Sequence, residues 1–316
     1  MSDLIIRVLQ KYDIRPPDSV TPFHGGAGFS GSSIWKVAWD SQDYCLKQWP
    51  KDKPSVRTRQ LISRVIPEMQ RQGLPIAVPQ ETNTGRRFLL LENRFWDLSP
   101  WVAGAPVKDR ILTETQLQSA MQWLAKYHNL SSSLISEKGR STALAYRLKL
   151  SRQLVEGQLD RLSDCEIIGL DAGLAHLFIS YARQKLPRLL QELEHYAHLE
   201  MMVLPALSDI WSDHVFFEGG KVSGVIDFGA LKMDSAYLDL SRFLGSCRGH
   251  SDSVKAQGLE YYQRERALDR NGVELVELFD RAYVVLAGVQ WLIWLGLEQR
   301  VFKQMEIVNR HLHGIA

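Results

Sequence analysis

The stretch over residues 207–239 constrains the fold of this chain more than any other. Two short apolar runs, residues 215–217 and 222–226, flank the pair Gly219-Gly220. A glycine pair between two such runs is a strong local signal for two β-strands joined by a tight turn. The sequence therefore predicts a β-hairpin, and the register of that hairpin decides which polar residues lie together.

With the two glycines at the turn, the predicted hairpin pairs four couples of residues: Glu218 with Lys221, Phe217 with Val222, Val225 with His214, and Asp227 with Ser212. Neighbouring strands lie about 4.8 Å apart, and each residue advances about 3.3 Å along its strand. We therefore expect Asp227, His214 and the loop that begins at Asp209 to be close neighbours.

Two carboxylates and an imidazole at the open end of a hairpin suit phosphoryl transfer from a nucleotide. Protein kinases place a catalytic aspartate five residues before a metal-binding asparagine, and their second metal-binding aspartate opens the sequence Asp-Phe-Gly. Here Asp209 precedes His214 by five positions, and Asp227-Phe228-Gly229 follows the hairpin. The order and spacing of these groups predict a phosphate-transfer site.

At this stretch the chain resembles the aminoglycoside phosphotransferase and choline kinase-like small-molecule kinases. Their usual pattern is His-Gly-Asp-x-x-x-x-Asn, a hairpin, and then an Ile-Asp-Phe run. The chain matches in spacing and in its 226–228 run, but Leu207 and Ser208 stand in place of His-Gly, and His214 in place of Asn. The resemblance implies an α+β, protein kinase-like bilobal fold, with a small antiparallel β-sheet N-lobe and a mostly helical C-lobe.

A glycine-rich segment near the N-terminus fits the same expectation. Gly26, Gly28 and Gly31 follow the pattern GxGxxG, but a second strand over residues 34–39 comes next, where a dinucleotide-binding fold requires a helix. A glycine loop between two antiparallel strands resembles the flap that kinases fold over nucleotide phosphates. The alternative is a flexible surface hairpin.

Lys47 ends an apolar-x-apolar-Lys run on the next predicted strand, where kinases carry a lysine that reaches the α and β phosphates. The alternative is a solvated strand lysine. In many kinases a helical glutamate holds that lysine, and Glu68 is the one candidate in the helix predicted over residues 55–72.

Two further strands are predicted over residues 86–91 and 95–102, and the second run, RFWDLSPWVAGAP, resembles the family's connector between lobes. Pro100 keeps a backbone carbonyl and Val102 can donate its N–H, which suits the edge of adenine, although an ordinary linker has the same groups. We expect an N-terminal nucleotide-binding lobe over residues 1–100. The helical C-terminal lobe, with the catalytic loop and the acceptor pocket, is expected over residues 101–316.

From Thr113 onward the pattern is helical. His128 falls on the apolar face of the first of these helices, where a histidine is more often a core residue than a ligand. Asp234 and Asp239 flank the start of a later helix, and the resemblance gives Asp239 a supporting role for the catalytic loop. In the family, helices such as those predicted after Gln257 line the acceptor pocket.

Composition and charge limit the partners that this chain can have. Among its 316 residues 45% are hydrophobic and 23% charged, which is ordinary for a soluble globular protein. A net charge of +2 gives no argument for nucleic acid or for an anionic membrane. The most apolar run, residues 282–297, is shorter than the roughly 20 residues that span a bilayer, so a buried helix is expected.

The compartment is predicted from the cysteines and the N-terminus. Three scattered cysteines without a CxxC spacing predict neither a zinc site nor a disulfide framework. The first residues carry no cleavage-like signal. A cytoplasmic location is therefore expected, and the sequence leaves the oligomeric state open.

The resemblance implies an ATP-dependent kinase of small molecules. Asp209 would accept the proton of the acceptor hydroxyl or amine, and Lys47 would hold the nucleotide. Asp227 and His214 would bind Mg²⁺. Imidazole is a poor magnesium ligand, so three outcomes stay open at His214: a softer ion such as Mn²⁺, replacement by Asp213, or loss of the second metal site.

Two functions from different classes follow. The first is transfer of a γ-phosphate from ATP to a small-molecule acceptor, which the three charged residues Lys47, Asp209 and Asp227 favour. The second is a pseudokinase that binds nucleotide or acts as a scaffold with little turnover, which Leu207 and His214 favour. An α+β domain that has these acids by chance is a third, minor alternative. The sequence does not identify the acceptor.

Overall fold

The computed structural model of the chain describes residues 3–23, 31–167, 169–247, 252–302 and 305–314. The strands are β1 (Ser19–Pro22), β2 (Ser33–Trp39), β3 (Gln42–Gln48), β4 (Leu89–Leu91), β5 (Arg94–Pro100), β6 (Ala105–Pro106), β7 (Glu137–Arg140), β8 (Glu200–Ala206), β9 (Val215–Glu218), β10 (Lys221–Val225) and β11 (Lys232–Ser235). The α-helices are α1 (Asp3–Leu9), α2 (Val56–Arg71), α3 (Glu114–Leu134), α4 (Thr142–Gln153), α5 (Leu159–Ser163), α6 (Ala172–Tyr196), α7 (Ala236–Ser246), α8 (Asp252–Gln263), α9 (Gly272–Leu292) and α10 (Met305–His313).

The chain divides into two compact units, each built from three separate segments. The first unit contains Met1–Ser136, Leu204–Met233 and Ser246–Ala267. The second contains Glu137–Val203, Asp234–Gly245 and Leu268–Ala316. This division differs from the lobe boundary expected near residue 100, which stays a prediction.

A five-stranded antiparallel sheet in the order β1-β2-β3-β5-β4 forms the N-terminal part of the first unit. Its buried face packs against α1 through a cluster that includes Val8, Leu9, Leu46, Trp96 and Leu98. Because side chains alternate across a strand, the residues between these apolar ones point to the opposite face. That opposite face carries Lys47, Trp49 and Asp97.

Two turns of this sheet hold non-glycine residues in the left-handed conformation. Asp40 and Ser41 have φ values of 50° and 59°, and Glu92 and Asn93 have 52° and 56°. Positive φ at both central residues matches the twist of the strands in a two-residue hairpin. Both turns lie between runs that the sequence predicted as strands.

The helices of the first unit also follow the sequence. Ser55 caps α2 by accepting a hydrogen bond from the Thr58 N–H, and Thr113 with Gln116 forms a capping box at the start of α3. His128 is fully buried, and its Nδ1 lies 2.8 Å from the Tyr262 hydroxyl. The core role predicted for this histidine is consistent with that bond.

The predicted hairpin is formed by β9 and β10, and Gly219 and Gly220 both have positive φ at its turn. The short strand β6 pairs with β9 on the other side. Gly104, just before β6, has a φ of 80°, and a side chain there would meet the Phe217 backbone and come within 2.9 Å of Ser223 Oγ. The connector therefore approaches the hairpin closely at Gly104.

The close approach at Gly104 gives a stability prediction with a matched control. Gly104→Ala is expected to destabilise the protein by about 3 kcal/mol, because it combines left-handed strain with a clash against backbone. Gly73 has nearly the same φ, 77°, but open space around its Cα, so Gly73→Ala is expected to cost only about 1 kcal/mol. Denaturant unfolding of both variants measures the difference, and equal losses would contradict the predicted clash.

In the second unit, Asp234 closes the start of α4. It accepts hydrogen bonds from the Ser141 hydroxyl at 2.5 Å, the Thr142 hydroxyl at 2.6 Å and the Ala143 N–H at 2.9 Å. The carboxylate is fully buried. Asp234 thus supports the fold of this unit as a helix cap.

In the described part of the chain one helix is long and apolar enough to cross a membrane: α9 together with the π-helical turn that continues it, Gly272–Leu297. It extends beyond the apolar run that the sequence singled out. In its most apolar window 56% of the residues are buried, and Phe178 of α6 packs directly on Gly288. Burial by protein neighbours supports the predicted core role of this helix.

Candidate active site

The hairpin confirms part of the predicted register and corrects the rest. The first two cross-strand pairs are as predicted: Glu218 with Lys221, and Phe217 with Val222. A β-bulge follows between Val222 and Gly224, so Val225 lies opposite Val215, and its predicted pairing with His214 is wrong. A bulge places two residues of one strand against one of the other and shifts every later pair.

A tertiary contact accounts for the bulge. Ser223 donates its hydroxyl hydrogen to the Ala103 carbonyl at 2.7 Å. The Ile226 N–H then donates to the His214 carbonyl at 3.1 Å, which moves Asp227 past the predicted pairing with Ser212. That pairing is wrong by one residue, yet Asp227 and His214 remain at the same end of the hairpin.

Asp209 lies in the loop between β8 and β9, and neighbours in that loop orient it. The Trp211 indole N–H donates to Asp209 Oδ1 at 2.8 Å, and Ser208 adopts a left-handed φ of 66°. Leu207 is 3% exposed and packs where the family pattern has histidine. A buried leucine at this position supports the loop by apolar packing in place of the family's histidine.

The ring of His214 is oriented by the backbone of the same loop. Its Nδ1 lies 3.0 Å from the Asp209 carbonyl oxygen. A carbonyl only accepts hydrogen bonds, so Nδ1 carries the proton and the neutral ring has its lone pair on Nε2. This is the arrangement in which metal-binding histidines are commonly held.

Lys47 and Asp227, which are 180 positions apart in the sequence, form an ion pair with Nζ 3.0 Å from Oδ1. The Gly229 N–H also donates to Oδ1, at 3.3 Å. Asp227 itself has a left-handed φ of 63°. Such backbone strain in a non-glycine residue concentrates at functional sites.

The charges at this pair depend on each other. Burial alone would raise the pKa of Asp227, but Lys47, then His214, and the two hydrogen bonds lower it to about 2. Because this value lies below the ordinary one of about 3.9, the ionised carboxylate stabilises the fold above that pH and loses this contribution as the pH falls toward 2. Burial would lower the pKa of Lys47, but Asp227 and then Asp97 raise it.

Glu68 was predicted to hold Lys47, and the structure corrects this. Its carboxylate accepts from Gln72 Nε2 at 2.9 Å and pairs with Arg71, whereas among the described residues the carboxylate bonded to Lys47 is Asp227. Arg59, near the start of α2, lies over the Phe95 ring of β5, so this turn of the helix is close to the strand. Glu68 lies nine residues later, roughly 13 Å farther along the helix axis.

The predicted nucleotide contacts are only partly covered by the structure. Gly26 and Gly28 lie outside the described residues, while Gly31 has a φ of 72° with open space around it. Pro100 ends β5 opposite Tyr44. Val102 packs on Gly224, where an added Cβ would come within 2.5 Å of Val102 Cγ1. The connector is thus anchored to the hairpin that carries Asp227.

Two groups beside Lys47 and one beside Asp213 were missed by the sequence reasoning. Trp49 lies under Lys47, with Nζ 4.1 Å from the ring centroid, and its indole N–H donates to Asp97 at 2.5 Å. The sequence contained a signal for Asp97, which lies between Trp96 and Leu98 on a predicted strand. An acid inside an apolar strand requires a partner. Arg110, the third group, pairs with Asp213 at 2.8 Å.

The pairing with Arg110 bears on the predicted alternative that Asp213 replaces His214 as a metal ligand. Arg110 Nε and Nη2 both lie within 3.0 Å of Asp213 Oδ2. That oxygen is already held by a two-point guanidinium contact. The arrangement favours His214 over Asp213 as the group available to a metal.

The comparisons with known proteins agree with this geometry. The family model described as "Phosphotransferase enzyme family" matches residues 19–272, well over half of the chain and the whole of the site described above. The chain belongs to the phosphotransferase enzyme family. The resemblance inferred from residues 207–239 is therefore confirmed, and no curated protein matches this phosphotransferase.

Solved structures of kinases share the fold of this phosphotransferase. The microcompartment-associated aminopropanol kinase is 15% identical, with a TM-score of 0.67 over 98% of this chain and 94% of that one. The amicoumacin kinase hAmiN, in complex with AMP-PNP, Ca²⁺ and Ami, is 12% identical, with a TM-score of 0.64 over 98% and 92%. Spectinomycin phosphotransferase APH(9)-Ia, in complex with ADP and spectinomycin, is 13% identical, with a TM-score of 0.58 over 99% and 98%.

The fold class is confirmed by these matches and by the elements themselves. The antiparallel sheet precedes a mostly helical remainder, as the protein kinase-like class requires. The expected function class is confirmed at the level of the family, since the chain is a member of the phosphotransferase enzymes.

The groups near Asp227 suit a divalent metal that keeps other ligands. The described residues contain no group of three or more His, Cys, Asp or Glu side chains that could hold a metal ion by itself. Asp227 and the Nε2 of His214 supply two donors, one oxygen and one nitrogen. A divalent ion of this kind is commonly held by few protein groups together with phosphate oxygens and water. The oxygen of Asp227 fits either Mg²⁺ or Mn²⁺, whereas the nitrogen of His214 fits Mn²⁺ better.

Proposed function

We propose that this phosphotransferase moves the γ-phosphate of ATP to the hydroxyl, or amine, of a small molecule. The observation that carries the proposal is the 3.0 Å pair between Lys47 and Asp227. It brings together the lysine expected to hold the nucleotide and the acid expected to hold the metal. Chance does not readily bring two such groups from distant segments together beside a loop that carries Asp209.

In the proposed reaction Asp209 is the catalytic group. Its carboxylate accepts the proton of the acceptor hydroxyl or positions that hydroxyl for in-line attack. The Trp211 N–H, 2.8 Å from Oδ1, fixes the direction of the carboxylate. Most of the rate then comes from positioning and charge neutralisation.

The nucleotide is proposed to bind along the sheet and the connector. Lys47 neutralises the α and β phosphates beneath a flap that contains Gly26, Gly28 and Gly31. The Pro100 carbonyl and the Val102 N–H meet the adenine edge. All of these residues except Val102 belong to a proposed nucleotide-binding lobe over residues 1–100. Val102 begins the helical lobe over residues 101–316, which is proposed to present the catalytic loop and the acceptor pocket.

The metal is proposed to be Mg²⁺ or Mn²⁺, held by Asp227 and His214. When bound, the ion supplies charge neutralisation at the terminal phosphates. Asp227 suits this role because its low pKa keeps it ionised at neutral pH. The hydrogen bond from His214 Nδ1 keeps its Nε2 lone pair available.

The acceptor class is inferred from proteins of the same fold, which include kinases named for an amino alcohol, amicoumacin and spectinomycin. We propose a hydroxyl-bearing small molecule of comparable size, handled in the cytoplasm. Nucleic acid and membrane are not among the proposed partners, since the net charge of +2 favours neither.

Melting temperatures and product formation test this function. ATP with Mg²⁺ or Mn²⁺ is expected to raise the melting temperature by several degrees, since a ligand at 100 times its Kd contributes about 2.7 kcal/mol. Incubation with amino alcohols, sugars and amino sugars is then expected to yield a phosphorylated product. Binding without any product across the panel would instead support the pseudokinase alternative, and no binding would refute both.

The histidine at position 214 predicts a metal preference. Wild-type enzyme is expected to favour Mn²⁺ over Mg²⁺, because imidazole suits Mn²⁺ better. His214→Asn restores the amide of the family pattern and is expected to lower the ratio of Mn²⁺-supported to Mg²⁺-supported kcat/KM about tenfold. Paramagnetic resonance of Mn²⁺ in the presence of ADP provides a readout independent of turnover.

The matched control for this prediction is His176→Asn, on the exposed surface of α6. It removes one imidazole far from the loop in sequence and is expected to leave the metal ratio unchanged. An equal ratio in wild type and His214→Asn would show that His214 does not bind the ion.

A further inference from the structure

Strands β3 and β5 place an acid directly beside the nucleotide lysine. In their antiparallel register Lys47 and Asp97 are cross-strand partners. Residues opposite each other in such a pair share one face of the sheet, with Cβ atoms about 5 Å apart. The two charges act on each other, since Asp97 raises the pKa of Lys47 and Lys47 lowers that of Asp97.

Trp49 holds both groups in place. Its indole N–H donates to Asp97 Oδ2 at 2.5 Å, and its ring lies under Lys47 with 4.1 Å between Nζ and the centroid. The Ser99 hydroxyl donates to Asp97 Oδ1 at 3.3 Å. The carboxylate is therefore fixed from two sides, and the lysine has a cation–π platform next to it.

Asp97 lowers the stability of the folded protein at neutral pH. It is 6% exposed, and burial raises its pKa to about 6 against the lowering effects of Lys47, Trp49 and Ser99. An acid with a raised folded-state pKa stabilises the fold below its ordinary value of about 3.9 and loses that contribution as the pH rises through 6. At neutral pH the ionised Asp97 thus lowers stability, which is expected of a residue kept for function.

We propose that Asp97, and not Glu68, is the carboxylate that positions Lys47 for a bound nucleotide. The inference rests on the proposed function. Once a metal engages Asp227, the ion pair at 3.0 Å competes with that metal for the same carboxylate. Asp97 is held by Trp49 and Ser99, so it remains beside Lys47 and keeps the ammonium aimed along the sheet. Asp97 is a positioning residue because it acts through Lys47.

The test compares Asp97→Asn with Glu68→Gln, each of which removes one charge and preserves shape. Asparagine still accepts the Trp49 hydrogen bond. Calorimetric titration with Mg²⁺-ADP is expected to give about tenfold weaker binding for Asp97→Asn, a loss typical of one charge-assisted contact. Glu68→Gln is expected to bind within twofold of wild type. As a matched control, Asp43→Asn removes the carboxylate that pairs with Lys36 at 2.7 Å on the same sheet and is expected to bind like wild type.

Two further readouts separate positioning from a structural role. Asp97→Asn is expected to melt at the wild-type temperature or above at pH 7, because it removes a buried charge. Labelling of Lys47 by an amine-reactive reagent at pH 8, followed by mass spectrometry, is expected to become several-fold faster, since the pKa of Lys47 falls without Asp97. A purely structural role would lower the melting temperature and leave the relative labelling rate unchanged.

The outcomes distinguish this inference from the proposed function. If wild type binds Mg²⁺-ADP and Glu68→Gln loses affinity while Asp97→Asn does not, the positioning role is refuted and the kinase proposal stands. Equal affinity in all four proteins would also refute it. If wild type binds no nucleotide, the proposed function fails and this inference fails with it.

Discussion

Asp209→Asn is expected to lower kcat by about 10³-fold, the range associated with removal of a general base. Asparagine keeps the shape of the side chain and can still accept the Trp211 hydrogen bond that now reaches Oδ1 at 2.8 Å. It cannot accept the proton of an acceptor hydroxyl at neutral pH. The KM for ATP is expected to stay within twofold, because Asp209 is not proposed to hold the nucleotide.

Steady-state kinetics with an acceptor identified in the panel measures this effect. The matched control is Glu218→Gln, which removes an exposed carboxylate at the turn of the β9–β10 hairpin and is expected to leave kcat unchanged. Product formation by Asp209→Asn at the wild-type rate would show that another group, or no protein group, receives the proton.

Asp227→Asn is expected to reduce kcat/KM by at least about 10³-fold, because it removes the only charged metal donor proposed at the site and the partner of Lys47. Both effects follow from one carboxylate. Its hydrogen bonds from Lys47 at 3.0 Å and Gly229 at 3.3 Å meet on Oδ1. Titration with Mn²⁺ in the presence of ADP is expected to show loss of ion binding together with the loss of turnover.

Asp234→Asn provides a contrast seven residues later in the chain. Asp234 caps α4 through Ser141, Thr142 and the Ala143 N–H, so its replacement is expected to cost about 1–3 kcal/mol of stability without weakening Mn²⁺ binding. A fall in melting temperature alone for Asp227→Asn, with ion binding intact, would contradict the metal role.

The sequence predicted those features that depend on local signals. The turn at Gly219-Gly220 and the helices that begin near Ser55 and Thr113 were predicted, because turn and helix signals act within a few positions of themselves. The neighbourhood of Lys47 and Asp227 was predicted through the family resemblance. Its geometry, a 3.0 Å ion pair, came from the structure.

The errors have tertiary causes. The register of the hairpin shifts because Ser223 bonds to Ala103, a contact that no property of residues 215–226 specifies. Glu68 failed as the partner of Lys47 because the packing of α2 on the sheet decides which turn of that helix is close to β5. Asp97 was overlooked because its importance depends on the pairing of β3 with β5.

The division of the chain also has a consequence for biosynthesis. The first unit takes Lys47 from its first segment and Asp209 and Asp227 from its second, and it closes only with Ser246–Ala267. A ribosome must therefore release most of the polypeptide before this unit can be completed, although domains often fold as soon as they emerge. The nascent chain therefore forms the ion pair between Lys47 and Asp227 late in translation. Neither unit can be excised as one continuous fragment.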